Sequence, residues 1–283
     1  MLWAMVIVCR ALLFKPLVAE SIEKASDLPE VDSELAAQHL AELIRCQTVA
    51  PAEKSETEAY SQFGNFRQRL KEFYPLIYKR LKLEVVNNHS LLYLWRGRES
   101  TRQPILLMAH YDVVPADPEQ WTVPPFAGVI KDGVIWGRGA LDTKSTLCAI
   151  FEAVESLLKS DFQPEQDIYL SFGHDEENLG EGALAIVDLL ASRGISLAMV
   201  VDEGGAIIDQ VFPGVESPVA LVGLSEKGYA DVEVVLEGSG GHSSTPGSIN
   251  PLGEMSKIIL HMAKNPFRAY LPYEVKHMLN CIG

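Results

Sequence analysis

The sequence predicts an α/β fold, a mixed, mostly parallel sheet covered by helices on both faces, followed by the start of a smaller α+β unit. Three observations carry this. Apolar runs of strand length alternate with stretches whose apolar residues recur every three or four positions. Three of those runs end abruptly in a histidine or in acids. Beyond Val222 the pattern changes to one longer, half-exposed strand and a loop rich in glycine and serine.

Residues 1–27 form an apolar leading segment, uninterrupted from Leu2 to Phe14 except at Arg10. It is shorter than the roughly 20 residues of a membrane span. A docked helix, the remnant of an anchor and a signal-peptide core stay open; the third is the weakest, because no basic start or small-residue cleavage site accompanies it. Next, "SELAAQHLAELIR" places Leu35, Leu40, Leu43 and Ile44 at helical spacing, with Ser33 as the N-cap. A second helix is expected from about Glu58 to Leu81. "LEVV", "SLLYLWRG" and "PILLMAH" read as strands, and "GVIKDGVIWGRG" as a hairpin about Asp132-Gly133, a pair that supplies the positive φ of a tight turn.

From Lys144 to Lys159 the residues Leu147, Ile150, Phe151, Val154, Leu157 and Leu158 make one apolar helical face starting at "LDTKS". "DIYLSFGHDEE" is a strand, Ala183 to Ala191 a helix and "LAMVVDEGG" a further strand. These close the larger unit, 28–221. The second unit, 222–283, holds the strand "YADVEVVLEG", the loop "SGGHSSTPGS" and a helix from Pro251 to Lys264.

Composition narrows the function. The 283 residues are 47% hydrophobic, enough for a sizeable core. Lysine and arginine number 24 against 38 acids, a net charge of -14, and no basic run of five occurs, which argues against nucleic-acid binding. Cys9, Cys46, Cys148 and Cys281 form no CxxC pair and read as free, buried thiols.

The chemistry lies at the strand ends. "LLMAHYD" finishes on His110 and Asp112, "YLSFGHDEE" on Glu176 and Glu177, and "AMVVDE" on Asp202; Asp142 stands where the chain enters a helix. Singly, His110 reads as a solvated strand-end residue, Asp142 as a helix N-cap and Glu176-Glu177 as a charged loop. Jointly they converge, because ligands in an open α/β sheet gather at the carboxyl ends of its strands. Several carboxylates in one crevice repel one another unless a cation joins them. A histidine with such acids suits zinc, manganese or cobalt, and the acids suffice for two ions sharing a bridging carboxylate.

"HYDVVP", "WTVPPFAG", "DGVIWGRGALDTK", "GHDEE" and "DEGG" resemble the co-catalytic di-zinc metallopeptidase family of aminoacylase, succinyl-diaminopimelate desuccinylase and carboxypeptidase S, carboxypeptidase S-like and N-fatty-acyl-amino-acid hydrolase members above all. The resemblance implies two zinc ions, with cobalt or manganese as substitutes. His110 and Asp202 would ligate the first, Asp142 would bridge, and Glu177 would ligate the second. Glu176 would be the general base, Asp112 the acid orienting His110, and His242 a stabiliser of the oxyanion. His174 is expected to be structural.

Cleavage of an amide or peptide bond in N-acyl amino acids or C-terminal peptides is the expected reaction. A homodimer through the second unit, 222–283, the start of a lid and dimerisation domain, and a membrane tether at the N-terminus, are the expected associations. With an anchor the protein would be extracytoplasmic or membrane-tethered, otherwise cytoplasmic. In the family the second domain is an insertion, after which a late histidine reaches the second zinc. The sequence therefore reads as C-terminally truncated, with its isolated chain nearly inactive. The alternative is an inactive metal- or ligand-binding module.

Overall fold

The computed structural model describes residues 29–51, 60–99, 101–178, 180–212, 215–224, 228, 230–238, 240–242, 244 and 250–282. The apolar N-terminal segment lies outside the described residues. The chain divides into two compact units at Glu203–Gly204, earlier than the boundary expected near Val222. The reason is pairing: the hairpin that follows Gly204 forms a two-stranded sheet of its own.

The larger unit opens with α1 (Ser33–Arg45). Its N-cap is Asp32, not Ser33: the Asp32 carboxylate accepts the N–H groups of Glu34 and Leu35, both at 3.1 Å. The single helix expected to Leu81 is two, α2 (Ser61–Phe73) and α3 (Pro75–Arg80). Pro75 separates them, since it has no N–H to continue a helix yet suits the first turn of one. The buried Glu155 carboxylate accepts the next two N–H groups, from Leu76 at 3.1 Å and Ile77 at 3.0 Å.

The sheet consists of β1 (Lys82–Val86), β2 (Ser90–Trp95), β3 (Ile105–His110), β6 (Ile168–Gly173) and β7 (Met199–Val201), in the order β1-β2-β6-β3-β7. β2 runs antiparallel to β1 and β6, whereas β3 runs parallel to both β6 and β7. Alternation along β2 separates two cores. Leu91, Tyr93 and Trp95 join the cluster under α1, α2, α3 and α4 (Lys144–Lys159), with Phe66, Phe151 and Phe172. Leu92 and Leu94 face α5 (Glu181–Ser192) with Leu106, Ile186 and Leu190. Helices thus cover both faces, as expected.

The hairpin of β4 (Val129–Lys131) and β5 (Val134–Trp136) turns at Asp132 and Gly133, with φ of 54° and 76°. Cys46 and Cys148 are free and buried.

The second unit contains β8 (Ala206–Ile208) paired antiparallel with β9 (Val219–Leu221), then α6 (Pro251–Lys264) and α7 (Tyr273–Ile282). Asn250 caps α6 by accepting Leu252 N–H at 3.0 Å. The strand expected in "YADVEVVLEG" is not formed over 230–238. A strand exists only by pairing, and no described strand pairs with these residues. Among the described residues no helix is long and apolar enough to cross a membrane.

Candidate metal centre

His110 ends β3 level with Gly173, the last residue of the neighbouring β6. The loop after β6 then carries Glu176 and Glu177, and the turn after β7 carries Asp202 and Glu203. Parallel, adjacent strands therefore deliver these residues to the same rim. Asp142 reaches the rim from the turn that enters α4, whose N-cap is Thr143. The Asp142 carboxylate is therefore not the helix cap. Its oxygen stands 3.0 Å from His110 Nε2.

His110, Asp142 and Glu177 offer three ligand atoms within 4.8 Å of one another. Glu203 Oε1 lies 3.5 Å and Glu176 Oε2 3.8 Å from the same His110 nitrogen. The other ring nitrogen, Nδ1, faces the Asp112 main-chain oxygen at 3.1 Å and its carboxylate at 3.3 Å. This arrangement points Nε2 at the carboxylates of Asp142, Glu203 and Glu176 and fixes the ring plane. Asp112 is fully buried, and its two oxygens accept the main-chain N–H groups of Glu176 at 3.2 Å and Glu177 at 3.0 Å.

The electrostatics fit a cation. Burial by itself would lower the His110 pKa, but the carboxylates of Asp112, Glu203 and Glu176 outweigh it and hold the ring at about 10. Glu176 is raised by burial against the pull of His110, with Glu203, Glu177 and Asp112 adding repulsion. Glu177 is raised by burial and then by the charge of Asp142. Protein charges alone leave this cluster short of positive charge, which a divalent ion would supply.

The expected residues are not all gathered. Asp202 is exposed and turned to its own neighbour, accepting the Glu203 N–H at 2.9 Å. Glu203, which sequence reading passed over, is the acid that approaches His110, and its Oε2 is buried without a hydrogen-bond partner. The signal was present in "DEGG", where a second acid follows Asp202 directly. His242 belongs to the second unit, where its Nδ1 lies 2.8 Å from Ser244 Oγ. His174 is buried and 2.7 Å from Ser90 Oγ, a tie between the site loop and the start of β2.

The sequence profile of peptidase family M20/M25/M40 matches residues 106–278. The chain belongs to this family. Among similar M20 relatives, the human (Homo sapiens) N-fatty-acyl-amino acid synthase/hydrolase PM20D1 is 40% identical over 217 residues, 76% of this chain and 43% of its own length. Probable carboxypeptidase S-like 2 of Dictyostelium discoideum is 40% identical over 240 residues, 83% and 46% of the two chains. Carboxypeptidase S of Saccharomyces cerevisiae is 38% identical over 245 residues, 81% and 42%. The chain spans less than half the length of each of these relatives. A solved M20 family metallo-carboxypeptidase, Sso-CP2 from Sulfolobus solfataricus, superposes with a TM-score of 0.47 at 24% identity, over 63% of this chain and 38% of that one.

Proposed function

We propose that this chain supplies the catalytic groups of a zinc-dependent hydrolase of amide or peptide bonds, acting on N-acyl amino acids or on peptides at their carboxyl terminus. The observation that carries this is a possible ligand set, His110, Asp142 and Glu177, with the separate carboxylate of Glu176 beside it. The names of the M20 relatives support the substrate classes: one acts on N-fatty-acyl amino acids, another is a carboxypeptidase.

Two zinc ions fit the donor chemistry, with cobalt or manganese as substitutes. His110 would hold the first, Glu177 the second, and Asp142 would bridge. Glu203 is better placed than Asp202 as the remaining carboxylate of the first ion, for its oxygen already faces His110 while Asp202 bonds to main chain. Bound metal would acidify a water and polarise the scissile carbonyl.

The chain's own residues do the rest. Asp112 keeps the Nδ1 side of His110 engaged and fixes the loop of Glu176 and Glu177 through their N–H groups. Glu176, with a raised pKa and a half-exposed side chain, takes the proton of the attacking water and returns it to the leaving amine. His242 as oxyanion stabiliser, a dimer through the second unit, and a membrane tether at residues 1–27 belong to the same reading.

The test is an assay of the zinc-loaded protein against N-acyl amino acids of graded chain length and against Gly-X dipeptides. Glu176→Ala should abolish turnover and leave most Co(II) binding. Turnover unaffected by Glu176→Ala would overturn the role of Glu176.

A further inference from the structure

Lys144 is fully buried two residues after Asp142. Its ammonium donates to the carbonyls of Leu43 at 3.1 Å and Cys46 at 2.7 Å, and stands 5.3 Å from the centre of the Phe66 ring. Both carbonyls lie at the C-terminal end of α1, where the helix dipole favours a cation; each also accepts a main-chain N–H, Leu43 O from Cys46 at 3.3 Å and Cys46 O from Thr48 at 2.9 Å.

The chain just past this helix end is bonded to the other half of the metal centre. Thr48 Oγ1 donates to the Tyr111 carbonyl, Val113 N–H donates to Thr48 O at 3.0 Å, and Val49 bridges Val113 in parallel. Tyr111 and Val113 flank Asp112, which orients His110 and holds the loop of Glu176 and Glu177. On its own side, Lys144 N–H donates to Gly139 O at 3.0 Å. Its stem crosses Gly139 so closely that a Cβ there would lie 3.2 Å from Lys144 Cδ and 2.7 Å from Val113 Cγ1.

We infer that Lys144 is a positioning residue of the metal centre. Its buried ammonium clamps the Asp142 turn to the Cys46–Val49 segment, and thereby sets the separation of Asp142 from His110. A lysine that only capped α1 could be replaced by an apolar chain of equal length with little consequence at the rim. A clamp cannot, because the two carbonyls, each left with its main-chain donor alone, would lose the ammonium that ties them to the Asp142 turn.

This inference rests on the metal-centre reading, and the experiment separates the two. Lys144→Met, Thr48→Val and wild type are titrated with Co(II), following its visible absorption, and the metal-free proteins are melted. Glu155→Gln, which weakens the α3 cap away from the rim, serves as a stability control. Lys144→Met is expected to weaken Co(II) binding about tenfold and to alter the absorption band, whereas Glu155→Gln lowers the melting temperature alone. Thr48→Val cuts the same route without touching a charge and should weaken binding by a smaller factor. Wild-type affinity and spectrum in Lys144→Met would overturn the clamp, even if the protein melts earlier. If Lys144→Met does not fold, unchanged affinity in Thr48→Val overturns it instead. Failure of the wild type itself to bind Co(II) would count against the metal centre, not the clamp.

Discussion

The buried carboxylate of Asp112 accepts the main-chain N–H of Glu177 at 3.0 Å. Its second oxygen accepts the N–H of the preceding residue, Glu176, at 3.2 Å and lies 3.3 Å from His110 Nδ1. One side chain therefore fixes the ring of a candidate ligand and the backbone of a loop from a different strand.

Asp112→Asn keeps the shape but replaces one acceptor oxygen by a donor. One of the two loop N–H groups then loses its partner, a cost of about 1–3 kcal/mol. Zinc affinity should fall by about 10- to 100-fold, since the ring and the loop would both be less firmly held. Denaturant unfolding of the metal-free protein and a zinc titration measure the two losses. An unaltered zinc affinity would show that Asp112 serves folding alone.

Glu203 and Asp202 are separable by amide substitution. Glu203→Gln should weaken Co(II) binding more than about tenfold, because it removes the charge facing His110. Asp202→Asn should change it little, since that side chain is exposed and can still accept the Glu203 N–H through its amide oxygen. The reverse ranking in the same titration would return the ligand role to Asp202.

Gly182 lies where a methyl group has no room. A Cβ there would sit 2.1 Å from Ser90 Oγ, 2.7 Å from His174 Nδ1 and 2.8 Å from Asp175 Oδ1. Gly182→Ala should cost about 1–3 kcal/mol. Because Asp175 also accepts the Gly182 N–H, at 3.0 Å, the loop bearing Glu176 should shift with it. Thermal melting and the Co(II) spectrum would register the two effects.

Acid sensitivity should arise partly at His89. Burial, helped by the neighbouring charge of His174, lowers this ring to about 4, below its ordinary 6.5. Its Nδ1 is buried without a partner, and its ring stacks on Tyr60 at 4.1 Å. A depressed folded pKa means that the unfolded chain takes up the proton first. The contribution is therefore present above pH 6.5 and is lost as pH falls from 6.5 to about 4. His89→Phe keeps a ring for the stack and should flatten the stability profile in that window. The slope does not vanish, because His174 is lowered too. Urea unfolding at several pH values checks this, and parallel profiles for the two proteins would refute it.

Much of this was legible in the sequence because period and punctuation are local. The apolar face of Leu147, Phe151, Val154 and Leu158 is buried as its spacing required, and Asp132-Gly133 turns as such a pair must. Pro75 could have divided the second helix by the same reasoning. What was not legible depends on contacts distant in sequence. Whether Asp202 or Glu203 faces His110 is decided by the backbone direction after β7, and the helical spacing that begins at Lys144 carries no sign that its ammonium stands on the carbonyls of α1. The strand expected in "YADVEVVLEG" is absent over 230–238 for a related reason, since composition indicates a strand former but not a neighbour for it to bond.

The level ends of β3 and β6, His110 beside Gly173, have one more consequence. Successive residues of a strand point to opposite faces, so the site depends on a count as well as on a set of side chains. Deleting a single residue within Ile105–Ala109 would leave every motif readable and yet turn either the apolar stripe or His110 the wrong way. Loops joining these strands can lengthen or shorten through variation, whereas the strand itself can change only by substitution, letter for letter.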